Sequence, residues 1–317
     1  MNILWPDIHQ DLTNSIALAL NKLGHTLYLP NWEAVTTPPE NQTQGTDFKW
    51  RVWREKEIRK FFNTPNVHNC KQEEVPKMDV VFCTTYENQW EIYEKVMPQT
   101  KAKIVHYSGN DYWEGAYPLD KLKNALCADF TGFATAYRHN KHYLNYRPWI
   151  DYDRFPFKKV TDSNIIGCYI GEYDKTFPND YLSFVNAARN LPDYTFDLHM
   201  KSTREQVANS MQKIIGTLHI KRLEGYGFAI IQSMACGRPV FLPSQYSAKK
   251  SYLNWSIDGE TALFFNDFND LKLKLDKLRL DEYYRHELQK NCAEKIRELV
   301  NNEEQTEELG KFLENLV

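Results

Sequence analysis

Leu223-Glu224-Gly225-Tyr226-Gly227-Phe228-Ala229-Ile230-Ile231-Gln232-Ser233-Met234-Ala235-Cys236-Gly237-Arg238-Pro239-Val240 decides how this chain is read. An acid and two glycines precede an apolar run of helical length, Gly237 stops it, and Pro239-Val240 opens a strand. The start of a helix presents unpaired amides and the positive end of the helix dipole, which suits a phosphate group. Glycines there let a ligand come close to the backbone. Glu224 stands where it can meet ligand hydroxyls, and Gln232 follows about two turns later. An anion binder next to a hydroxyl binder fits a nucleotide sugar, whose diphosphate is charged and whose sugars are rich in hydroxyls.

The rest of the chain gives that stretch an α/β setting. Asn2 to Trp5, His25 to Pro30, Asp79 to Cys83 and Lys103 to Tyr107 read as strands, and Phe130 to Thr135 as a further one. Asp11 to Leu23 reads as a helix, with Asp11 or Thr13 as its cap and Gly24 as its stop. Residues 35–46 form a polar loop, and a charged aromatic helix is expected from Asp47 to Phe62. A second series runs strand 164–170, helix 180–190, strand 194–199, helix 204–214, strand 217–220 and helix 228–236. Strands 239–242 and 262–265 follow, and the chain is helical from Asp267 onward. Alternation of this kind builds parallel sheets covered by helices. Two αβ domains follow, residues 1–150 and 151–300, with a C-terminal helix over 301–317 that packs back on the first.

Composition narrows the function. The chain has 317 residues, 42% hydrophobic and 26% charged, so it holds ample core for two domains. A net charge of -3 argues against sequence-independent phosphate binding as the dominant activity. No apolar run approaches the ~20 residues of a membrane span, and the first residues carry neither a basic nor a long apolar stretch of a secretory signal. Six scattered cysteines without a CxxC pair read as reduced buried thiols, which places the protein in the cytoplasm.

Four ordered segments resemble GT-B glycosyltransferases of the retaining family 4. The opening stretch is similar to the family's E-G-x-G-x-x-x-x-E-A-x-A-x-G-x-P-V signature. Arg147-Pro148-Trp149-Ile150-Asp151-Tyr152-Asp153-Arg154-Phe155 resembles its interdomain P-x-G-V-D-x-x-x-F. Ile257-Asp258-Gly259-Glu260-Thr261-Ala262-Leu263-Phe264-Phe265 looks like its D-G-x-T-G-x-L-F strand, and the first strand and helix end in Leu23-Gly24-His25-Thr26-Leu27. The resemblance implies two Rossmann-like domains facing each other across a cleft, the N-terminal one binding acceptor and the C-terminal one binding donor. It also implies transfer of a hexosyl or pentosyl group from a nucleoside-diphosphate sugar, a UDP-sugar by preference, with retention. The nucleotide sugar is then a co-substrate, and neither a metal nor another cofactor is required.

The same resemblance assigns residues. Glu224 meets the donor sugar, Gly225, Tyr226 and Gly227 offer amides to the diphosphate, and Gln232 takes the ribose in place of the family's second acid. The family's phosphate-binding arginine position carries Glu172 here. Positive charge is expected instead from Lys175, with Lys201, Lys221 or Arg222 in support. His106 reads as a strand-end histidine facing the donor sugar, and Asp111 as an acceptor-side base. Asp7 and His9 follow the first strand, where parallel sheets bind ligands.

The acceptor is read from the expected helix at 47–62. It holds Trp50, Arg51, Trp53 and Arg54 among six basic residues, against three acids. One reading is a core stripe through Trp50, Trp53, Ile58 and Phe61. The other sets cations and aromatics beside an acceptor, which is a saccharide or glycolipid or, alternatively, a hydroxymethylated pyrimidine in phage-type DNA. A further alternative is an inactive GT-B protein that only binds sugar nucleotides. Asp151-Tyr152-Asp153 imitates a metal-binding DxD, but it sits at the domain junction, and His139 with His142 lacks a third ligand.

Overall fold

The computed structural model describes residues 1–5, 10–30, 65–84, 101–108, 124–128, 142–170, 178–199, 202–221, 226–245 and 255–316. The chain divides into two compact units, Met1–Trp149 with Asn301–Val317, and Ile150–Val300.

The first unit is built on a seven-stranded sheet ordered β3-β2-β1-β4-β5-β6-β7, with every pairing parallel. Its strands are β1 (Asn2–Leu4), β2 (Thr26–Pro30), β3 (Val67–Cys70), β4 (Val80–Thr84), β5 (Lys103–Ser108), β6 (Asn124–Ala128) and β7 (His142–Tyr146). Runs such as Val80-Val81-Phe82 are apolar without alternation because a parallel sheet is covered on both faces. Helix α1 (Gln10–Lys22) lays Leu12, Ile16, Ala19 and Leu20 into the core, the spacing of a single helical face. It starts earlier than expected, so neither Asp11 nor Thr13 caps it. The buried Thr13 hydroxyl accepts the Trp5 indole N–H at 3.0 Å instead.

Gly24 ends α1 as expected. It adopts φ 71°, its amide bonds Asn21 O, and the next amide, of His25, bonds Leu20 O. That pair of reaching-back bonds is a Schellman motif, which requires a left-handed residue at the stop. The last helix, α7 (Asn302–Glu314), belongs to this unit and packs on α1 and β7. Gly310 lets it approach closely, since a Cβ there would lie 2.9 Å from Leu23.

The second unit holds a five-stranded parallel sheet ordered β12-β11-β10-β8-β9. Its strands are β8 (Ile165–Tyr169), β9 (Thr195–His199), β10 (Gly216–Leu218), β11 (Val240–Pro243) and β12 (Ala262–Phe265). Helices α2 (Pro178–Asn190), α3 (Arg204–Met211) and α4 (Phe228–Ala235) connect them, and α5 (Phe268–Leu280) and α6 (Glu282–Leu299) complete the unit. One core runs from Ile166, Cys168 and Ile170 through Leu218 and Phe241 to Leu271, Leu275 and Leu278. Helix α3 stops at Met211, short of the expected Ile214. Ile214 and Ile215 are fully buried and lead into β10. Among the described residues, no helix is long and apolar enough to cross a membrane.

Candidate functional site

In an open parallel sheet, ligands bind at the carboxyl ends of the strands, at the point where the strand order reverses. In the second unit β8 lies between β9 and β10, so the reversal falls between β8 and β10. The segment leaving β10 enters α4 through Tyr226 and Gly227.

Gly227 caps α4 with φ 76° and ψ 52°, the left-handed region that glycine enters without strain. It provides no side-chain cap, and the first turn of α4 carries no acid. The positive end of the helix dipole is therefore not neutralised from within α4. The Gly227 carbonyl accepts the amides of Ile230 and Ile231, which begins the helical ladder. Tyr226, 3% exposed, anchors the turn. Its ring meets Phe228 at 5.1 Å and Trp255 at 5.4 Å, both edge to face. Of the assigned Tyr226, the backbone lies in the turn while the side chain is committed to packing.

Helix α4 is fixed from below. The Ser233 hydroxyl bonds that of Thr217 on β10, and Ile230, Ile231, Met234 and Ala235 are fully buried. Gln232 lies in the second turn, half-buried. Lys221, also half-buried, follows β10. Its charge offsets part of the desolvation that pushes the Cys168 thiol up to about 12.

Beyond α4 the chain turns at Gly237 into Arg238, a buried cation that sequence reasoning passed over. Arg238 is 0% exposed and donates to the carbonyls of Met211 at 2.8 Å, Gly237 at 3.2 Å and Lys158 at 2.6 Å. Burial pushes its guanidinium down to about 10, so it stays charged at neutral pH. It ties together α3, the stop of α4 and the chain entering the unit, which is a structural task.

Two of the family-like segments are structural in the same way. Asp151 accepts the Arg154 amide at 3.1 Å and pairs with its guanidinium at 3.6 Å, so the apparent DxD is a turn. In the Ile257–Phe265 segment, Asp258 accepts the Phe264 amide, and Thr261 links Ile257 N to the Trp255 carbonyl. Gly259 takes φ 80° in that turn.

A polar network lies at the neighbouring strand end. His199, the last residue of β9, hydrogen-bonds Ser202 through Nδ1 at 2.8 Å, sets Nε2 3.1 Å from an Asp197 carboxylate oxygen, and stacks on Tyr169 at 5.2 Å. Asp197 accepts the Ser210 hydroxyl, which also meets Tyr169 Oη at 2.8 Å. The His199 Nδ1 is thus hydrogen-bonded within the protein, whereas Nε2 is buried beside Asp197 without an aligned hydrogen bond. Burial pushes the Asp197 carboxyl up, but the bonds from Ser210 and His199 outweigh it and leave the group below its ordinary value. His219, buried directly after β10, is also new to the picture, and its amide bonds Phe241 O at 3.0 Å.

Several sequence candidates lie outside the described residues: Glu224, Gly225, Arg222, Lys175, Lys201, Asp111, Asp7, His9, Trp50, Arg51, Trp53 and Arg54. So do the helix expected at 47–62 and the strand expected at 130–135. His106 is described by its backbone alone. It does not end its strand, because β5 continues through Tyr107 to Ser108 and pairs onward with β4 and β6. The four described cysteines, Cys70, Cys168, Cys236 and Cys292, are free and buried.

No protein-family model matches the chain, and a search of curated proteins returns no match. Solved structures do match. HepE of Anabaena, in a complex with UDP-glucose, superposes with a TM-score of 0.68 at 9% identity over 99% of this chain and 100% of its own. A glycosyltransferase of Rickettsia africae gives 0.67 at 11% identity, covering 99% and 97%. Sucrose-phosphate synthase of Thermosynechococcus elongatus gives 0.65 at 14% identity, covering 100% and 99%. Together with the two parallel sheets, these likenesses establish a GT-B-type α/β fold.

Proposed function

We propose that the protein is a glycosyltransferase that transfers a sugar from a nucleoside diphosphate, UDP by preference, to an acceptor hydroxyl with retention, without a metal. The observation that carries this reading is the uncapped start of α4 behind left-handed Gly227, on the strand bordering the reversal between β8 and β10. Negative charge builds on the departing diphosphate, so amides already fixed toward it favour the transition state over the ground state. The amides of Gly225, Tyr226 and Gly227 serve there. Lys175, with Lys201, Lys221 or Arg222, supplies the cation. Glu224 holds the donor sugar and Gln232 the ribose. The UDP-glucose held by HepE, which shares the fold, supports the choice of donor. The proposed acceptor is a saccharide or glycolipid, bound by the first unit.

The test is thermal-shift screening with nucleoside diphosphates and their sugars, because a ligand of the folded state stabilises by mass action. A UDP-sugar is expected to raise Tm. Glu224→Ala is expected to abolish transfer while the protein remains folded. No stabilisation by any nucleotide sugar, or full activity in Glu224→Ala, sinks the proposal.

A further inference from the structure

Trp255 packs its ring against Tyr226, the residue immediately before the cap of α4. It is 1% exposed, yet its indole Nε1–H has no hydrogen-bond partner among the described residues. The adjacent Ser256, 4% exposed, holds its hydroxyl without a partner in the same way. Buried donors are satisfied in folded proteins with few exceptions, and those exceptions point to a ligand, a water or a functional role. Other polar groups of this segment are paired within it. The Thr261 hydroxyl donates to the Trp255 carbonyl at 2.7 Å and accepts the Ile257 amide at 2.8 Å. Two buried side-chain polar atoms are thus left without partners on a segment whose Trp255 ring touches Tyr226, next in sequence to the cap of a helix start that lacks a side-chain cap and an acid in its first turn.

We propose that the Trp255 indole N–H donates a hydrogen bond to a diphosphate oxygen of the nucleotide donor. The proposal rests on the functional reading above and deepens it. An indole N–H is a donor only, so it matches an anion that carries only acceptors, and it adds no charge of its own. Packed under Tyr226, the ring also holds the turn that presents the α4 amides. Trp255 therefore recognises phosphate through its nitrogen and supports the turn through its ring, and the two contributions separate in the variant Trp255→Phe.

Trp255→Phe keeps an aromatic ring and removes the N–H. Titration calorimetry with UDP is expected to show about tenfold weaker binding, the effect of one lost bond to a charged acceptor. The affinity for uridine, which lacks phosphate, is expected to stay unchanged. The unliganded Tm is expected to hold or rise, since the deleted group has no partner to lose. Equal UDP affinity in the two proteins overturns the proposal while leaving the donor reading intact. An equal loss for UDP and uridine overturns the diphosphate assignment. A wild-type protein that binds no nucleoside diphosphate sinks the donor reading, and this proposal with it. Should Trp255→Phe fail to fold, wild-type protein labelled with 15N-tryptophan reads the same contact. One slowly exchanging indole proton is expected to move downfield when UDP is added, and no such movement overturns the proposal.

Discussion

The two ends of α4 are set by glycines with the same φ, 76°, and are built for opposite purposes. At the C-terminal end every polar group is matched. The Gly237 amide bonds Met234 O and the Arg238 amide bonds Ser233 O, a full Schellman stop, and the Arg238 guanidinium closes three carbonyls around it. At the N-terminal end Gly227 caps without a side chain, the first turn carries no acid, and the indole N–H of Trp255, whose ring packs on Tyr226, has no partner among the described residues. One end spends its polar groups on the fold. The other keeps them for something that arrives from outside, which is how a ligand site and a structural turn differ when both are drawn with glycine.

That contrast breaks most readily at Gly237. A Cβ there would stand 2.6 Å from the Phe157 ring and 2.9 Å from the Gln289 carbonyl, in addition to the left-handed strain. Gly237→Ala is expected to cost about 3 kcal/mol of stability, combining strain with overpacking, as measured by denaturant unfolding. Gly237→Asn is expected to fare no better, because asparagine relieves only the strain. A mild effect of Gly237→Ala would show that the stop is not the rigid end.

Arg238→Met comes next. It leaves the carbonyls of Met211, Gly237 and Lys158 buried without their donor, at an expected cost of about 2 kcal/mol. Nucleotide binding per folded molecule is expected to stay unchanged, because Arg238 serves the fold. A selective loss of UDP affinity in a stable Arg238→Met protein would erase the division between the two ends.

Gly227→Ala is expected to cost only about 1 kcal/mol of stability, the price of a left-handed alanine, but to weaken UDP binding markedly. Gly227→Asn is expected to recover most of the stability, since asparagine tolerates this backbone. The pattern wanted is a crossing: the Gly237 variant loses Tm and the Gly227 variant loses affinity.

Both glycines were readable from the sequence, and the reasons they differ were not. The helix over 228–236 and its stop stand out because an apolar run between glycines has one good local solution, and the strands of the second unit follow from apolar runs such as Val240-Phe241-Leu242. In the first unit β3, β6 and β7 escaped notice. Val67-His68-Asn69-Cys70, Asn124-Ala125-Leu126-Cys127-Ala128 and His142-Tyr143-Leu144-Asn145-Tyr146 mix polar and apolar residues and hold few β-branched ones, so their extended state comes from pairing with neighbours. Thr13 shows the same limit. A hydroxyl near a helix start reads as a cap, and only the packing of Trp5 against it reveals its use. Trp255 is the extreme case, because its interest lies in a bond that is not made, and spacing along a chain carries no such information.

The smallest expected effect tests whether the polar network beside the site belongs with the fold or with the ligand. Asp197 is held below the ordinary carboxylate range by Ser210 and His199, against the upward push of burial. A carboxyl whose folded pKa is depressed stabilises the protein above its unfolded value near 3.9 and loses that contribution as pH falls through the folded value. Stability is therefore expected to decline on its acid limb below about pH 4, and Asp197→Asn is expected to flatten that limb by lowering stability modestly near neutrality while leaving the acid value little changed. The group is partly exposed, so solvent screening keeps the effect modest. Since the Asp197 carboxylate is taken up by the Ser210 hydroxyl and lies against His199, UDP affinity is expected to be the same in Asp197→Asn and wild type. Unequal affinity would move this network from the scaffold to the binding end of the comparison, and the strand ends of β8 and β9 would have to be counted with the start of α4.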